Sequence, residues 1–171
     1  VVMEGSPITC KADLEGKTVS AQTGTTAETF WWLSDEGCGV ADGLGCITVW
    51  DVNGRCVRAS YKNGSWITSL TRVGDMLVCS DRYGHLFKYD IGSMTLLGAL
   101  DLNDKILCVS GFGGYIAAAT GSGRVLLLEP STGDELCSYY PSISAVTALY
   151  GMDGELLVCT ETNMHRLRLI E

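Results

Sequence analysis

The sequence GCITVWD at residues 45–51 decides the fold, because variants of it recur along the chain. A glycine is followed by a short run with alternating apolar residues, and the run ends in an aromatic residue and an acid. The variants are GHLFKYD at 84–90, GRVLLLE at 123–129 and a degraded MHRLRLI at 164–170. Their first residues are 39, 39 and 41 positions apart, counting from 45 to 84, 123 and 164. Such a period is typical of solenoids and propellers.

Each copy has the same sequence surroundings, which predict a unit of four strands. The five residues before each copy align without a gap and indicate a strand end and a tight turn: VADGL, CSDRY, AATGS and CTETN. Farther upstream, apolar runs at 66–70, 105–109 and 145–149 each precede a glycine-containing turn and a second run, which is a β-hairpin pattern. After the acid, a turn leads to a fourth run, for example at 94–97.

Four strands per unit, with Trp50-Asp51 and Tyr89-Asp90 closing the third strands, resemble the WD-repeat β-propeller family. The resemblance covers nearly the whole chain and implies an all-β propeller of four-stranded antiparallel blades. Asp42 and Asp81 stand where the family's turn aspartate would be. The third copy and its continuation, residues 123–136, are also similar to the quinoprotein type of propeller blade. Function must be argued from a site, because one fold hosts many activities.

The repeat predicts about four blades in this chain. A partial blade falls at 1–26, full blades at 27–61, 62–100 and 101–140, and a three-stranded last blade at 141–171. The run at 17–21 is a candidate fourth strand for that last blade, which leaves the run at 7–10 over. We therefore expect part of a larger, seven- or eight-bladed ring, completed by another chain or segment.

Composition limits the possible partners. The chain has 171 residues, 46% of them hydrophobic, and a net charge of −8. Nucleic-acid binding needs a basic surface that releases counterions, so direct contact with nucleic acid is not expected. No apolar run approaches the roughly 18 residues that cross a bilayer, so no membrane span is expected.

The eight cysteines fall at strand positions within the repeat and include no Cys-x-x-Cys pair. This pattern favours small buried thiols in a reducing compartment, and we expect a cytoplasmic protein. Zinc binding is not expected. In the alignment of the copies, Cys79 and Cys159 take equivalent places.

No residue set favours catalysis, and we expect no enzyme activity, cofactor or metal. His85 and His165 hold matching positions two units apart, so they would lie on non-adjacent blades. The acids Asp51, Asp90 and Glu129 recur once per unit, as turn or strand-end residues do. The glycine-rich segments 111–114 and 121–123 open no helix, as a phosphate-binding loop would, and are predicted hairpin turns.

What remains is recognition of other proteins by a non-catalytic scaffold within a larger protein or complex. In the WD-repeat family, partners often dock on the face formed by the turn between second and third strands and the loop between units. Carried onto this chain, the resemblance implies a partner-binding set of Tyr61, Lys62, Trp66, Arg82, Tyr83, Tyr139, Tyr140 and Asn163. The alternative is a quinoprotein-like propeller that binds a ligand or catalyses a reaction. It would need a convergent polar or metal-binding set, and the sequence indicates none.

Overall fold

The computed structural model describes residues 27–34, 37–42, 45–51, 56–62, 64–141, 145–152 and 154–169. Side chains are described at residue 41, at 45–49 and, within these ranges, from residue 64 onward. The predicted strands at 7–10 and 17–21 lie outside the described residues. The chain divides into two compact units, Val1–Ile67 and Thr68–Glu171.

The described residues form β-strands and no helix, so nothing in them is a helix that could span a membrane. The strands are β1 (Ala27–Ser34), β2 (Gly37–Asp42), β3 (Cys46–Asp51), β4 (Cys56–Lys62), β5 (Ile67–Val73), β6 (Met76–Asp81), β7 (His85–Asp90), β8 (Leu96–Asp101), β9 (Ile106–Phe112), β10 (Tyr115–Thr120), β11 (Val125–Leu128), β12 (Glu135–Tyr139), β13 (Val146–Met152), β14 (Glu155–Thr160) and β15 (Met164–Arg168).

Consecutive strands are neighbours in four antiparallel sheets. The first sheet is β1–β4, the second β5–β8, the third β9–β12, and the last sheet has only β13–β15. The copies at 45–51 and 84–90 therefore form the third strands of two different sheets. The predicted all-β fold with four-stranded antiparallel units is confirmed.

A tight turn before the third strand explains why three copies begin with glycine. Gly45, Gly84 and Gly123 have φ angles of 78°, 102° and 86°. Residues with a Cβ rarely adopt this region, whereas glycine does so at little cost. The positive φ reverses the chain, so that the alternating run pairs back onto the preceding strand. The recurring glycine is thus a requirement of the backbone.

The last copy is aligned differently in the structure from the spacing in the sequence. Cys159 pairs with Met164 as Ala119 pairs with Val125, so Met164 is equivalent to Val125 and not to Gly123. The turn before β15 is also shorter. Thr160 donates its N–H to the carbonyl of Asn163 at 2.8 Å, whereas Thr120 donates to Arg124, one residue farther along, at 2.8 Å. The predicted start of the fourth copy at Met164 is therefore wrong.

Two predicted equivalences are wrong for the same reason. His165 pairs with Val158 in the middle of β15, whereas His85 is the first residue of β7. Cys159 is equivalent to Ala119 of the third sheet, and it is not equivalent to Cys79 of the second sheet. The Thr160 hydroxyl helps to close the last turn, accepting from the Asn163 N–H at 3.0 Å, so this turn needs neither the glycine nor the extra residue.

The fourth strand of the second sheet starts two residues later than the run at 94–97 predicts. Met94 lies in the turn before β8, buried and with a φ of 55°. Asp90 closes this turn by accepting from the Ser93 N–H and hydroxyl, both at 2.7 Å. Glu129 accepts from the Ser131 hydroxyl at 3.0 Å in the same way. Asp90 and Glu129 are therefore strand-end residues as predicted, and the side chain of Asp51 lies outside the described residues.

The third sheet lies between the second and the last, and its alternate residues face opposite neighbours. Ile116, Ala118, Leu126 and Leu128 pack with Val78 and Leu86 of the second sheet. Ala117, Ala119, Val125 and Leu127 pack with Leu149, Leu156 and Val158 of the last sheet. These strands are apolar on both sides because each side is covered by another sheet.

The first strands of neighbouring sheets come close enough to require glycine. Thr71 Oγ1 accepts from the Gly111 N–H at 2.9 Å, and Ser110 Oγ accepts from the Gly151 N–H at 2.9 Å. A Cβ on Gly111 would overlap the carbonyl oxygen of Arg72, and one on Gly151 would overlap that of Gly111. Because Gly111 belongs to β9, the glycine-rich turn is narrower than predicted and is formed by residues 113–114.

Candidate functional site

Strand register brings one set of turns and loops to the same end of the sheets in unit Thr68–Glu171. His85 pairs with Asp101, so the turn at 82–84 lies beside the loop at 102–105. Thr120 pairs with Ile106, which places the turn at 121–124 beside the same loop. This loop therefore connects the ends of the second and third sheets.

The same register extends this end of the molecule to the last sheet. Val125 pairs with Tyr139, and Val146 pairs with Thr160. Three further sets of described residues therefore lie at this end as well: those that follow β12, those that precede β13, and those that form the turn before β15. We call the described residues within 82–84, 102–105, 121–124, 140–145 and 161–163 the loop face.

Hydrogen bonds from the loop at 102–105 hold two turns of the loop face. Leu102 donates its N–H to the Gly84 carbonyl at 3.1 Å, and Gly121 donates to the Lys105 carbonyl at 2.7 Å. Asp104 accepts from the Ser122 N–H at 3.3 Å. Burial alone would raise the pKa of Asp104, but hydrogen bonds from Ser122, Thr120 and backbone N–H groups lower it below its usual value. Asp104 is therefore an ionised anchor for the next turn.

Asp81 organises the turn at 82–84 from a fully buried position. Its Oδ1 accepts from the N–H groups of Tyr83 and His85 at 2.8 and 2.9 Å, and its Oδ2 lies 2.8 Å from His85 Nδ1. The side-chain hydrogen bond to Asp81 raises the pKa of His85 despite some opposing desolvation. Asp81 thus ends β6 and holds the turn that follows it, which is the place that the WD-repeat resemblance gave to the turn aspartate. The side chain of Asp42 lies outside the described residues.

Two arginine–tyrosine pairs stand on the loop face. Arg82 Cζ lies 5.6 Å from the ring centroid of Tyr83, and Arg124 Cζ lies 5.9 Å from that of Tyr140. Tyr83 is 65% exposed and Tyr140 is 63% exposed. Arg124 is also held by Glu135, with Nη2 at 2.6 Å from Oε1. A guanidinium beside an aromatic ring combines flat apolar area with a positive charge, so such pairs offer both to a partner.

The other predicted residues of this unit differ in their surroundings. Tyr139 is half-buried against the core between the third and last sheets, and its hydroxyl lies 3.2 Å from His165 Nδ1. Asn163 is exposed in the turn before β15, where its Nδ2 donates to the Thr162 hydroxyl at 3.1 Å. The structure therefore gives Tyr139 a packing role and leaves Asn163 on the surface.

The remaining predicted residues belong to the unit Val1–Ile67. Trp66 directly precedes β5 and is 42% exposed. Tyr61 and Lys62 end β4, and their side chains lie outside the described residues. Sequence reasoning missed Arg124 as a surface residue. The sequence could have indicated it, because Arg124 puts a positive charge at the second position of the repeat, where the first copy has Cys46 and the second copy has His85.

The residues weighed for chemistry do not converge. His85 lies on the second sheet and His165 on the last, with the third sheet between them. Among the described residues, no three His, Cys, Asp or Glu side chains are placed to hold a metal ion. Cysteines 79, 108, 137 and 159 are free thiols. Burial raises the pKa of Cys79, and it raises that of Cys108 to about 11, so both are poor nucleophiles at neutral pH.

Comparison with known proteins supports the fold. No protein-family model and no curated protein sequence matches the chain. The WD40 domain of Neurospora crassa Pan2 is 14% identical, with a TM-score of 0.67 over 78% of this chain and 41% of that chain. A chain of a Mitotic Checkpoint Complex is 14% identical, with a TM-score of 0.72 over 90% of this chain and 52% of that chain. The computationally designed Ika4 protein is 18% identical, with a TM-score of 0.71 over 89% of this chain and 96% of that chain.

At these identities the similarity shows the fold alone. The chain has a WD40-like β-propeller fold, built from antiparallel sheets of the four-stranded kind. It spans about half the length of these natural chains.

Proposed function

We propose that this chain is a non-catalytic protein-interaction scaffold of the WD-repeat type, which presents the loop face to partner proteins within a larger protein or complex. The observation that carries the proposal is the presence of two arginine–tyrosine pairs, each with an exposed tyrosine ring, on adjoining sheets of one face. Tyrosine, tryptophan and arginine dominate the binding energy of protein interfaces, and truncating one at a true hot spot costs about 2 kcal/mol or more.

The backbone beneath these pairs favours binding by a preformed surface. Buried Asp81 fixes the turn that carries Arg82 and Tyr83, and Asp104 ties the next turn to the loop between sheets. A side chain on a fixed turn loses little further freedom when a partner docks, which improves affinity without additional contacts.

The proposed absence of catalysis rests on how the polar groups are used. His85 and Asp81 form an acid–base pair, and Asp81 is also used structurally, because it accepts from the Tyr83 and His85 N–H groups of the turn that follows it. The serine hydroxyls of Ser93 and Ser131 donate to Asp90 and Glu129, and both pairs close exposed turns at strand ends. The free thiols of Cys79, Cys108, Cys137 and Cys159 support a cytoplasmic location as part of the same proposal.

The test is an affinity capture from native extract with quantitative mass spectrometry. The full chain is compared with an Arg82→Ala/Tyr83→Ala variant and with a Leu97→Ala/Leu136→Ala control, whose exposed apolar residues lie on β8 and β12 away from the loop face. We expect the first variant to lose a partner that the control retains. Equal recovery of every partner by all three proteins would reject the loop face as the binding surface.

A further inference from the structure

The last sheet differs from its neighbours at its outer edge. In the second and third sheets the third strand pairs with a fourth, β7 with β8 and β11 with β12. Within the part of the chain that the structure describes, β15 pairs only with β14. A strand at an edge presents backbone N–H and C=O groups that can pair with another strand.

The charge at the end of β15 is the reverse of that in the other sheets. Asp51 pairs with Gly37 and Asp90 with Met76, so an acid closes the third strand in both. The equivalent pair in the last sheet is Arg168 with Glu155. The acid that shapes the turn into a fourth strand, as Asp90 does, is thus replaced by a cation.

Two arginines lie side by side on one face of β15. Glu155 Oε2 lies 3.1 Å from Arg166 Nε, and Glu155 Oε1 lies 2.5 Å from Arg168 Nη2. The arginine side chains remain 63% and 68% exposed, whereas that of Glu155 is 23% exposed. One carboxylate is shared by two guanidinium groups, so the patch keeps an excess positive charge.

The opposite face of β15 is already in use. His165 contacts Tyr139 of the third sheet, and Leu167 packs in the core between the third and last sheets. Alternation along the strand then puts exposed Met164 on the same side as the two arginines. β15 holds no acid, although the whole chain has a net charge of −8. Among the described third strands, β15 is therefore the one that combines basic residues with an edge position in its sheet.

We propose that the free edge of β15 binds an extended acidic segment of a partner protein, which adds to the last sheet as an antiparallel fourth strand. Main-chain hydrogen bonds supply affinity in this mode, and alternate side chains supply specificity. Acidic residues two positions apart on the added strand face Arg166 and Arg168 across the strand pair. Apolar residues between them face the side of Leu167. This site is separate from the loop face and does not depend on it.

Arginines on an edge strand have another use, which is to discourage strand addition. The two roles predict opposite results. Protective arginines would repel or ignore any added strand, whereas a docking edge would select acidic over basic strands. The sharing of Glu155 favours docking, because it orders both guanidinium groups along one face of the strand.

The test is a fluorescence-anisotropy titration of the full chain with capped peptides of seven residues. The first peptide alternates glutamate and valine, the second has lysine in place of glutamate, and the third has the first peptide's composition with its glutamates adjacent. The protein variants are Arg166→Gln/Arg168→Gln, Arg166→Glu/Arg168→Glu and Arg72→Glu. Arg72 is the matched control, because it is a part-exposed arginine of β5 that also pairs with an acid, Asp75, and lies outside the loop face. Thermal melting identifies any variant that fails to fold. If the Arg166→Glu/Arg168→Glu variant fails to fold, the Arg166→Gln/Arg168→Gln variant is compared with the unmodified chain.

We expect the alternating acidic peptide to bind and the other two to bind about tenfold more weakly or not at all. The Arg166→Gln/Arg168→Gln variant should weaken binding of the acidic peptide by about tenfold, and the Arg166→Glu/Arg168→Glu variant should transfer preference to the lysine peptide. The Arg72→Glu control should change neither. Hydrogen exchange should slow at the amides of 164–168 when the acidic peptide is bound.

Several results would overturn the proposal. Equal binding of the acidic and lysine peptides, or an equal loss of binding with Arg72→Glu, would show that β15 does not select acids. If no peptide binds and the amides of 164–168 are already protected from hydrogen exchange without peptide, the chain itself, for example its run at 17–21, covers the edge. Concentration-dependent dimers broken by Arg166→Glu/Arg168→Glu would mean that a second copy covers it.

Discussion

Replacing Gly111 by alanine should destabilise the protein because the first strands of the second and third sheets leave no room for a Cβ. The new methyl group would overlap the Arg72 carbonyl oxygen, a backbone atom that cannot rotate away. Relief requires the strands to separate, which also lengthens the 2.9 Å hydrogen bond from the Gly111 N–H to Thr71 Oγ1. Overpacking costs about 1–3 kcal/mol and a weakened hydrogen bond about 1 kcal/mol, so we expect a loss of about 2–4 kcal/mol in the free energy of unfolding.

Urea denaturation followed by intrinsic fluorescence measures this loss, and thermal melting should show a fall of about 5–15 °C for a chain of this size. Gly98→Ala is the matched control, since Gly98 also lies in a strand and its added Cβ would meet only Lys88 Cε at 3.6 Å, an ordinary contact. The control should be neutral or slightly stabilising, because alanine loses less backbone freedom than glycine on folding. Equal stability of the Gly111→Ala and Gly98→Ala variants would refute close approach of these strands.

Three further predictions follow from other parts of the structure. Ala118→Leu should cost about 1–3 kcal/mol in urea denaturation by overpacking the core between the second and third sheets, and an unchanged midpoint would contradict that packing. Asp81 raises the pKa of His85, so the protonated imidazole stabilises its turn at pH values below the ordinary histidine pKa. This stabilisation is lost as the pH rises through the raised pKa. NMR titration should show the raised pKa of His85 in the native protein and not in the Asp81→Asn variant. Exposed Cys137 should react with a thiol reagent in the native protein far faster than buried Cys79, and similar rates at both would be inconsistent with the burial of β6.

The strands of the repeat were predictable because local signals agreed. Gly84 and Gly123 mark turns that need a positive φ, and the runs after them alternate as strands do. The last copy was misaligned because its turn uses the Thr160 hydroxyl in place of glycine and is one residue shorter. A sequence period alone does not show such a deletion, whereas backbone pairing does.

The surface was less predictable than the fold. Arg82 and Tyr83 are neighbours in sequence, so their stacking could be anticipated from a turn tip. Arg124 and Tyr140 come from different turns, and their contact depends on the pairing of Val125 with Tyr139. Tyr139 and Tyr140 look alike in sequence, yet strand alternation turns the first toward His165 and leaves the second exposed.

The central claim is that the second, third and last sheets, within the unit Thr68–Glu171, pack side by side in chain order through their first strands. Nuclear Overhauser contacts in the native protein test it most directly. The account predicts contacts between the Thr71 side chain and the Gly111 amide proton, and between the Ser110 side chain and the Gly151 amide proton. Absence of both, with backbone contacts that join β5 and β9 in a single sheet, would contradict it.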